Sequence, residues 1–247
     1  MISIKTSEEI KVMAEGGKIL SGIIKELALK VRPGITTKEL EKFAEELILK
    51  SGGKCNFKGY QGFPSCLCTS VNEEIVHCSP SNKVLKEGDI VTLDVGILWK
   101  SFHTDMAVTL PVGKVSPEAQ RIVRVTKKAL KRGVKKAKVG NTFGDIGNTI
   151  QRYVEGQGYN VVRELCGHGI GRELHEEPKV LNYGKRRTGP ELVEGMVFCI
   201  EPMVTAGHWK LKKTDDHCFA TQDSSLSAHF EGMVAITKDG PQVLTNI

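Results

Sequence analysis

The chain has 247 residues, 40% of them hydrophobic and 26% charged, with a net charge of +6. That is enough for one large globular domain or two small ones, and no run of about 18 apolar residues exists to span a membrane. The opening stretch MISIKTSEEIKVMAEGG alternates charge with apolar residues and has no signal-peptide core, so the expected location is the cytoplasm.

From the N-terminus, an amphipathic stretch over 7–30 leads into VRPGITTKELEKFAEELILKSGG (31–53). Glycine, an N-cap-like Thr36, helical spacing and a closing glycine predict a helix there. Seven cysteines follow along the chain, at 55, 66, 68, 78, 166, 199 and 218. Their odd number and irregular spacing in a chain of this length predict reduced thiols. Cys66 and Cys68 lack a second pair at zinc-finger spacing.

Strand-like runs cover 89–98 (DIVTLDVGIL) and 105–110 (DMAVTL). Each holds an acid, Asp94 and Asp105, in a setting otherwise built for burial. A hairpin turning at Trp99–Lys100 would set the two acids directly opposite, with Cβ atoms about 5 Å apart. Next comes a basic stretch, RIVRVTKKALKRGVKKAK (121–138), with nine Lys or Arg in eighteen positions and an apolar stripe at helical spacing. It reads either as a solvated helix face or as a patch for an anionic surface such as ribosomal RNA. No aromatic residue interleaves it, which argues against base stacking.

The segment AKVGNTFGDIGNTIQRYVEGQGY (137–159) repeats the order of 31–53 at an offset of 106, matching Gly34 with Gly140, Thr36 with Thr142, and Gly52 with Gly158. We expect one domain of two related halves, about 1–112 and 113–247, facing each other across a cleft. Further strand-like runs are 161–166, 196–201 and 228–236. Helix pairs alternating with antiparallel-looking strands predict an α+β fold.

Between those last strands lies GHGIGRELHEEP (167–178), with His168 and His175 seven apart. Its glycines disfavour a helix and allow a bent segment that turns both rings inward. Glu201 ends MVFCIE and Glu231 lies in AHFEGMVAI. Four carboxylates in apolar strands are costly to bury unless paired or metal-bound. With His168 as a neutral ligand, Asp94, Asp105, Glu201 and Glu231 balance two divalent cations. Oxygen-rich ligation with one imidazole suits Mn, Fe or Co, with Zn also able to bind.

The motifs VNEEIVH (71–77), TLDVG (92–96), FHTDMAVT (102–109), GHGIGRELHEEP, FCIEPMV (198–204) and SLSAHFE (225–231) together resemble the type I methionine aminopeptidases of peptidase family M24, in their short bacterial form. The resemblance runs through nearly the whole chain and implies the pita-bread fold. It implies a monomeric enzyme that removes the N-terminal methionine of nascent chains with a small second residue, through a hydroxide activated by two metal ions. In that family pattern Asp94 holds one ion, Asp105 and Glu231 bridge both, and His168 and Glu201 complete the other. Glu201 also relays the proton, while His77 contacts the scissile amide and His175 polarises the carbonyl. Phe57, Tyr60, Phe63 and Cys68 resemble an apolar pocket for the methionine side chain.

The sequence departs from the family pattern at four positions. Leu174 stands for a pocket phenylalanine and His217 for a tryptophan. Gly232 and Met233 follow the bridging glutamate, where a polar residue and threonine are usual. Two rival readings are an Xaa-Pro aminopeptidase or prolidase, which usually carries a large extra N-terminal domain, and a non-catalytic ribosome- or RNA-binding relative, which would lose ligands.

Overall fold

A computed structural model describes residues 1–215 and 217–246. Helices α1 (Ser7–Ala28) and α2 (Thr37–Lys50) precede strands β1 (Lys54–Cys55), β2 (Leu67–Val71), β3 (Glu74–Val76), β4 (Ile90–Trp99) and β5 (Phe102–Pro111). Helices α3 (Pro117–Val134) and α4 (Phe143–Glu155) follow, then β6 (Asn160–Val161), β7 (Gly167–Gly169), β8 (Glu176–Val180), β9 (Val197–Ile200) and β10 (Met203–Thr205). The chain closes with β11 (Leu211–Lys213), β12 (Phe219–Thr221), β13 (Ser227–His229), β14 (Gly232–Thr237) and β15 (Gly240–Val243). Among the described residues no helix is long and apolar enough to cross a membrane.

The two segments related by the offset of 106 build the same local structure. Thr36 Oγ1 accepts from the Glu39 N–H at 3.2 Å, and the Glu39 carboxylate accepts from the Thr36 N–H at 2.8 Å. Thr142 and Asp145 repeat this reciprocal cap at 3.3 and 3.0 Å. Each cap satisfies two N–H groups that a helix start would otherwise leave bare. Gly34 and Gly140 enter these helices at φ 89° and 81°, a left-handed turn that glycine makes without steric cost. Leu40, Ala44 and Ile48 bury one face of α2, and Ile146, Ile150 and Val154 the matching face of α4. Each large apolar side chain so buried contributes about 1.5–3 kcal/mol.

All strand pairs are antiparallel. β4 carries β5 on one edge and both β1 and β2 on the other. A five-stranded sheet runs β15-β14-β9-β7-β8, and two three-stranded sheets run β13-β10-β6 and β11-β12-β3. Helix α1 packs closely at Gly17, where a Cβ would overlap the Leu244 carbonyl, so the helix fastens the C-terminal segment.

Several expectations are corrected. The β4–β5 hairpin pairs Trp99 with Phe102, so it turns at Lys100–Ser101, one residue later than expected. Asp94 therefore faces Ala107, and Asp105 faces Gly96. The acids are diagonal neighbours on one face, not direct partners. Lys100 and Ser101 both take positive φ, 46° and 69°, a two-residue turn that neither side chain type advertises. The run 161–166 is a strand only at its start, and 228–236 is broken between β13 and β14 at Phe230–Glu231. The basic helix ends at Val134 rather than 138.

The cysteines also differ from expectation. Cys55 is bonded to Cys66, and Cys78 to Cys218. β1 and β2 share one edge of β4, which brings the Cα atoms of Cys55 and Cys66 to 5.1 Å. β3 pairs with β12, which brings Cys78 to Cys218 across 140 residues. Linear spacing carries no trace of either pairing. Cys68, Cys166 and Cys199 are free.

Candidate metal centre

Two sheets converge on one cluster of acids. Asp94 and Asp105 come from the β4–β5 hairpin. Glu201 follows β9 and Glu231 precedes β14, each one step beyond the Ile200–Gly232 pair that ends their shared ladder. The Glu231 N–H donates to the Ala107 carbonyl at 2.9 Å, which fastens the break between β13 and β14 to the hairpin. Carboxylate oxygens of Asp94, Asp105 and Glu231 lie within 4.8 Å of one another.

His168 reaches the same point from β7. Its Nε2 is 3.7 Å from Glu201 Oε1, 3.8 Å from Glu231 Oε1 and 4.0 Å from Asp105 Oδ2. Its Nδ1 lies 2.9 Å from the Gly169 carbonyl oxygen. A carbonyl only accepts, so the ring proton sits on Nδ1 and Nε2 keeps its lone pair for the acids' side. Burial, then His175, lowers the His168 pKa to about 3, so the ring stays neutral at neutral pH.

Burial leaves these acids poorly satisfied. Asp94, Asp105 and Glu231 are 7%, 4% and 2% exposed. Asp94 Oδ1 and Glu231 Oε1 have no hydrogen-bond partner among the described residues. Burial pushes the Asp94 carboxyl up to about 6. Asp105, Glu201 and Glu231 are pushed well above the usual carboxylate range, first by burial and then by neighbouring acids: Glu231 and Asp94 on Asp105, Asp94 on Glu201, and Glu201 and Asp94 on Glu231. Among the described residues their ion-pairing partners within 4.0 Å are imidazoles alone, His168 and His229. Buried anions without a cationic side chain require another source of positive charge. The donor set, four carboxylates and one imidazole lone pair, fits divalent cations with oxygen-rich ligation.

The cluster forms the floor of a cleft. Every residue expected at the site lines it: His77, Asp94, Asp105, His168, His175, Glu201 and Glu231, together with Phe57, Tyr60, Phe63, Cys68, Leu174 and His217. The bent segment does turn both histidines inward, with the rings of His168 and His175 edge to face at 4.3 Å. His77 follows β3 with φ 59°, a left-handed conformation that costs a non-glycine residue about 1–3 kcal/mol. Burial, then the nearby His229, lowers the His77 pKa to about 4. His217 closes the pocket edge-on against Phe63, ring centroids 5.6 Å apart.

Sequence reasoning missed Gln61, Cys199 and His229 at the site, and singled out Met233 only as a departure from the family pattern. Gln61 lines the cleft from a turn at φ 47°. Cys199 offers its sulfur beside His168 and Glu231; burial and the acids push its thiol well up, so it stays protonated. Met233 Sδ accepts from the Asp105 N–H at 3.3 Å, so the unusual methionine braces an acid through its thioether. His229 was legible in principle, since a residue two before Glu231 in a strand-like run shares its face.

The model of metallopeptidase family M24 matches residues 11–238. Methionine aminopeptidase of Clostridium perfringens is 48% identical over 100% of both chains. The crystal structure of methionine aminopeptidase from Rickettsia prowazekii superposes with a TM-score of 0.98 at 38% identity, covering 100% of each chain. Xaa-Pro dipeptidase from Bacillus anthracis shares less: TM-score 0.79 and 26% identity, over 99% of this chain but 62% of that one. Identity, full-length coverage and superposition therefore favour the aminopeptidases over the Xaa-Pro peptidases. The chain belongs to metallopeptidase family M24, among its methionine aminopeptidases.

Proposed function

We propose that the acid-and-imidazole cluster holds two divalent cations and that the cleft removes the N-terminal methionine from nascent chains with a small second residue. The observation that carries this is three buried carboxylates, Asp94, Asp105 and Glu231, and the largely covered Glu201 converging with one imidazole lone pair, with no Lys or Arg ion-paired to them among the described residues. Asp94 would hold one ion, Asp105 and Glu231 both, and His168 with Glu201 the other. The oxygen-rich set suits Mn, Fe or Co, with Zn also able to bind. When bound, such ions supply Lewis acidity and lower the pKa of water towards 7.

The chain's own residues do the rest. Glu201 accepts the proton of the attacking water and passes it to the leaving amine. His175 donates to the carbonyl oxygen as charge develops there, which favours the transition state over the substrate. His77 holds the scissile amide. Phe57, Phe63 and Cys68 take the thioether side chain, for which aromatic and sulfur surface is favourable. The two halves, about 1–112 and 113–247, act as one catalytic domain and close the cleft between them, and the enzyme works as a monomer. The basic face of α3 docks the enzyme to ribosomes: Lys127, Lys128, Lys131 and Arg132 line one groove with Arg124 and Lys135.

The test is to strip the protein of metal, restore each divalent cation separately and assay Met-Gly-Met against an Xaa-Pro peptide. Glu231→Ala should lose both metal and activity, whereas His77→Ala should keep metal and lose kcat. Equal metal content and equal kcat in the two variants would remove the role assignment. Reversing the four named α3 cations to Glu should weaken ribosome co-sedimentation and leave Met-Gly-Met hydrolysis unchanged.

A further inference from the structure

His229 has no part in the chemistry above, yet it is 1% exposed and sits within the acid cluster. Its main chain is held from two sides. Thr109 Oγ1 donates to the His229 carbonyl at 2.8 Å and accepts from its N–H at 2.9 Å. On the other edge, His229 pairs with Met203, two residues beyond Glu201. The ring is therefore fixed relative to Glu201 by backbone geometry. Neither Nδ1 nor Nε2 has a hydrogen-bond partner among the described residues. Burying an imidazole with both nitrogens unpaired is costly, so a partner should stand within reach. Nε2 lies 3.5 Å from Glu201 Oε2, just beyond hydrogen-bond geometry. The other oxygen, Oε1, lies 3.7 Å from His168 Nε2. The two oxygens of Glu201 are thus addressed by two different rings.

We propose that His229 is a positioning residue for Glu201: its Nε2–H donates to Oε2, fixes the carboxylate plane and leaves Oε1 to the cleft. The gap closes by a shift of about half an ångström, of the kind that loaded sites make when they tighten. The neutral ring has one N–H and spends it on Glu201. His168 does the reverse, keeping its proton on Nδ1 and its lone pair on Nε2. This rests on the reading of Glu201 as cation ligand and proton carrier.

The test uses the zinc-loaded full chain with ¹⁵N-labelled histidine. Long-range ¹H–¹⁵N spectra should show His229 as the Nε2–H tautomer, and the Nδ1–H tautomer would overturn the proposal. In steady-state kinetics, His229→Phe should lower kcat about 10–100-fold, with KM within about twofold and zinc affinity weakened about tenfold. His229→Gln, which keeps a donor, should recover most of both. Equal losses in the two variants, or none, overturn the proposal. If His229→Phe does not fold, His229→Asn, polar but too short to reach, should show the same loss. Calorimetric zinc titration of Glu201→Gln with and without His229→Phe separates the two readings. The second substitution should cost no further affinity, and a full further loss overturns the coupling. Wild-type affinity and activity in Glu201→Gln alone overturns the reading of Glu201, and the proposal with it.

Discussion

The Tyr60 hydroxyl stands 2.8 Å from Nδ1 of His175, and the two rings meet edge-on with centroids 5.2 Å apart. A hydroxyl donating to Nδ1 leaves the imidazole proton on Nε2, which is the tautomer that can donate to a carbonyl oxygen. Tyr60→Phe should therefore lower kcat about tenfold, within the usual range for a positioned proton donor, and leave KM within about twofold. Steady-state kinetics on Met-Gly-Met checks this. An unchanged kcat would detach Tyr60 from the tautomer of His175.

Leu174 is 1% exposed and lines the cleft beside Phe57, Phe63 and Cys68. A leucine fills less of this pocket than a phenylalanine, and a methylene or two of slack discriminates by only about 1–3 kcal/mol. Leu-Gly-Met should be cleaved measurably. Leu174→Phe should raise the Met:Leu ratio of kcat/KM about fivefold or more. A ratio that stays level or falls would mean that the pocket has no slack at this position.

Much of this site was legible because burial makes charged residues conspicuous. Asp94 and Asp105 stand out in VTLDVGIL and HTDMAVTL for the same physical reason that they need a counter-charge. The helix caps at Thr36 and Thr142 were equally visible, since a cap is a local pattern of four residues. The hairpin register was not, because its turn uses Lys100 and Ser101 at positive φ without a glycine. The two disulfides were invisible because they depend on which strands share an edge of a sheet. The position of His229, two before Glu231, was legible as sharing its face, but its role was not, because that depends on its unpaired nitrogens.

The metal-free protein should have a bell-shaped stability profile. Carboxyl groups raised in the fold, Asp94 to about 6 and Asp105, Glu201 and Glu231 well above their usual range, bind more protons folded than unfolded. Their contribution is complete below about pH 4 and is lost as pH rises through 6 and beyond. His77 and His229, lowered to about 4, and His168, lowered to about 3, act oppositely. Theirs is complete above about pH 6.5 and is lost as pH falls through 4 and 3. Melting temperatures of stripped protein should peak between these limits and decline towards pH 8. Adding manganese should abolish the decline, since cations replace the missing protons. A stripped protein that keeps gaining stability up to pH 8 would contradict the carboxyl shifts.

Cys78 follows His77 and Cys218 follows His217, so one bridge joins two of the segments that carry cleft histidines. Alkylation of denatured, unreduced protein should label three thiols, Cys68, Cys166 and Cys199. Replacing Cys78 and Cys218 together by serine should lower stability by about 2–4 kcal/mol. It should also raise KM, because His77 and His217 lose their common anchor. Labelling of additional thiols would contradict the bridges.

The acids belong to two sheets: Asp94 and Asp105 to the hairpin of β4 and β5, Glu201 and Glu231 to the ladder of β9 and β14. Cations among them would rivet one sheet to the other, which makes metal supply a variable of folding as well as of chemistry. At a free concentration a hundred times Kd, mass action adds about 2.7 kcal/mol to the folded state. For a chain of this size that is roughly 5–11 °C in Tm. Melting temperature should climb with the logarithm of free manganese, and proteolysis should slow in step. A cell starved of the metal would then lose the polypeptide itself to turnover, so scarcity would be registered as abundance rather than as idle enzyme.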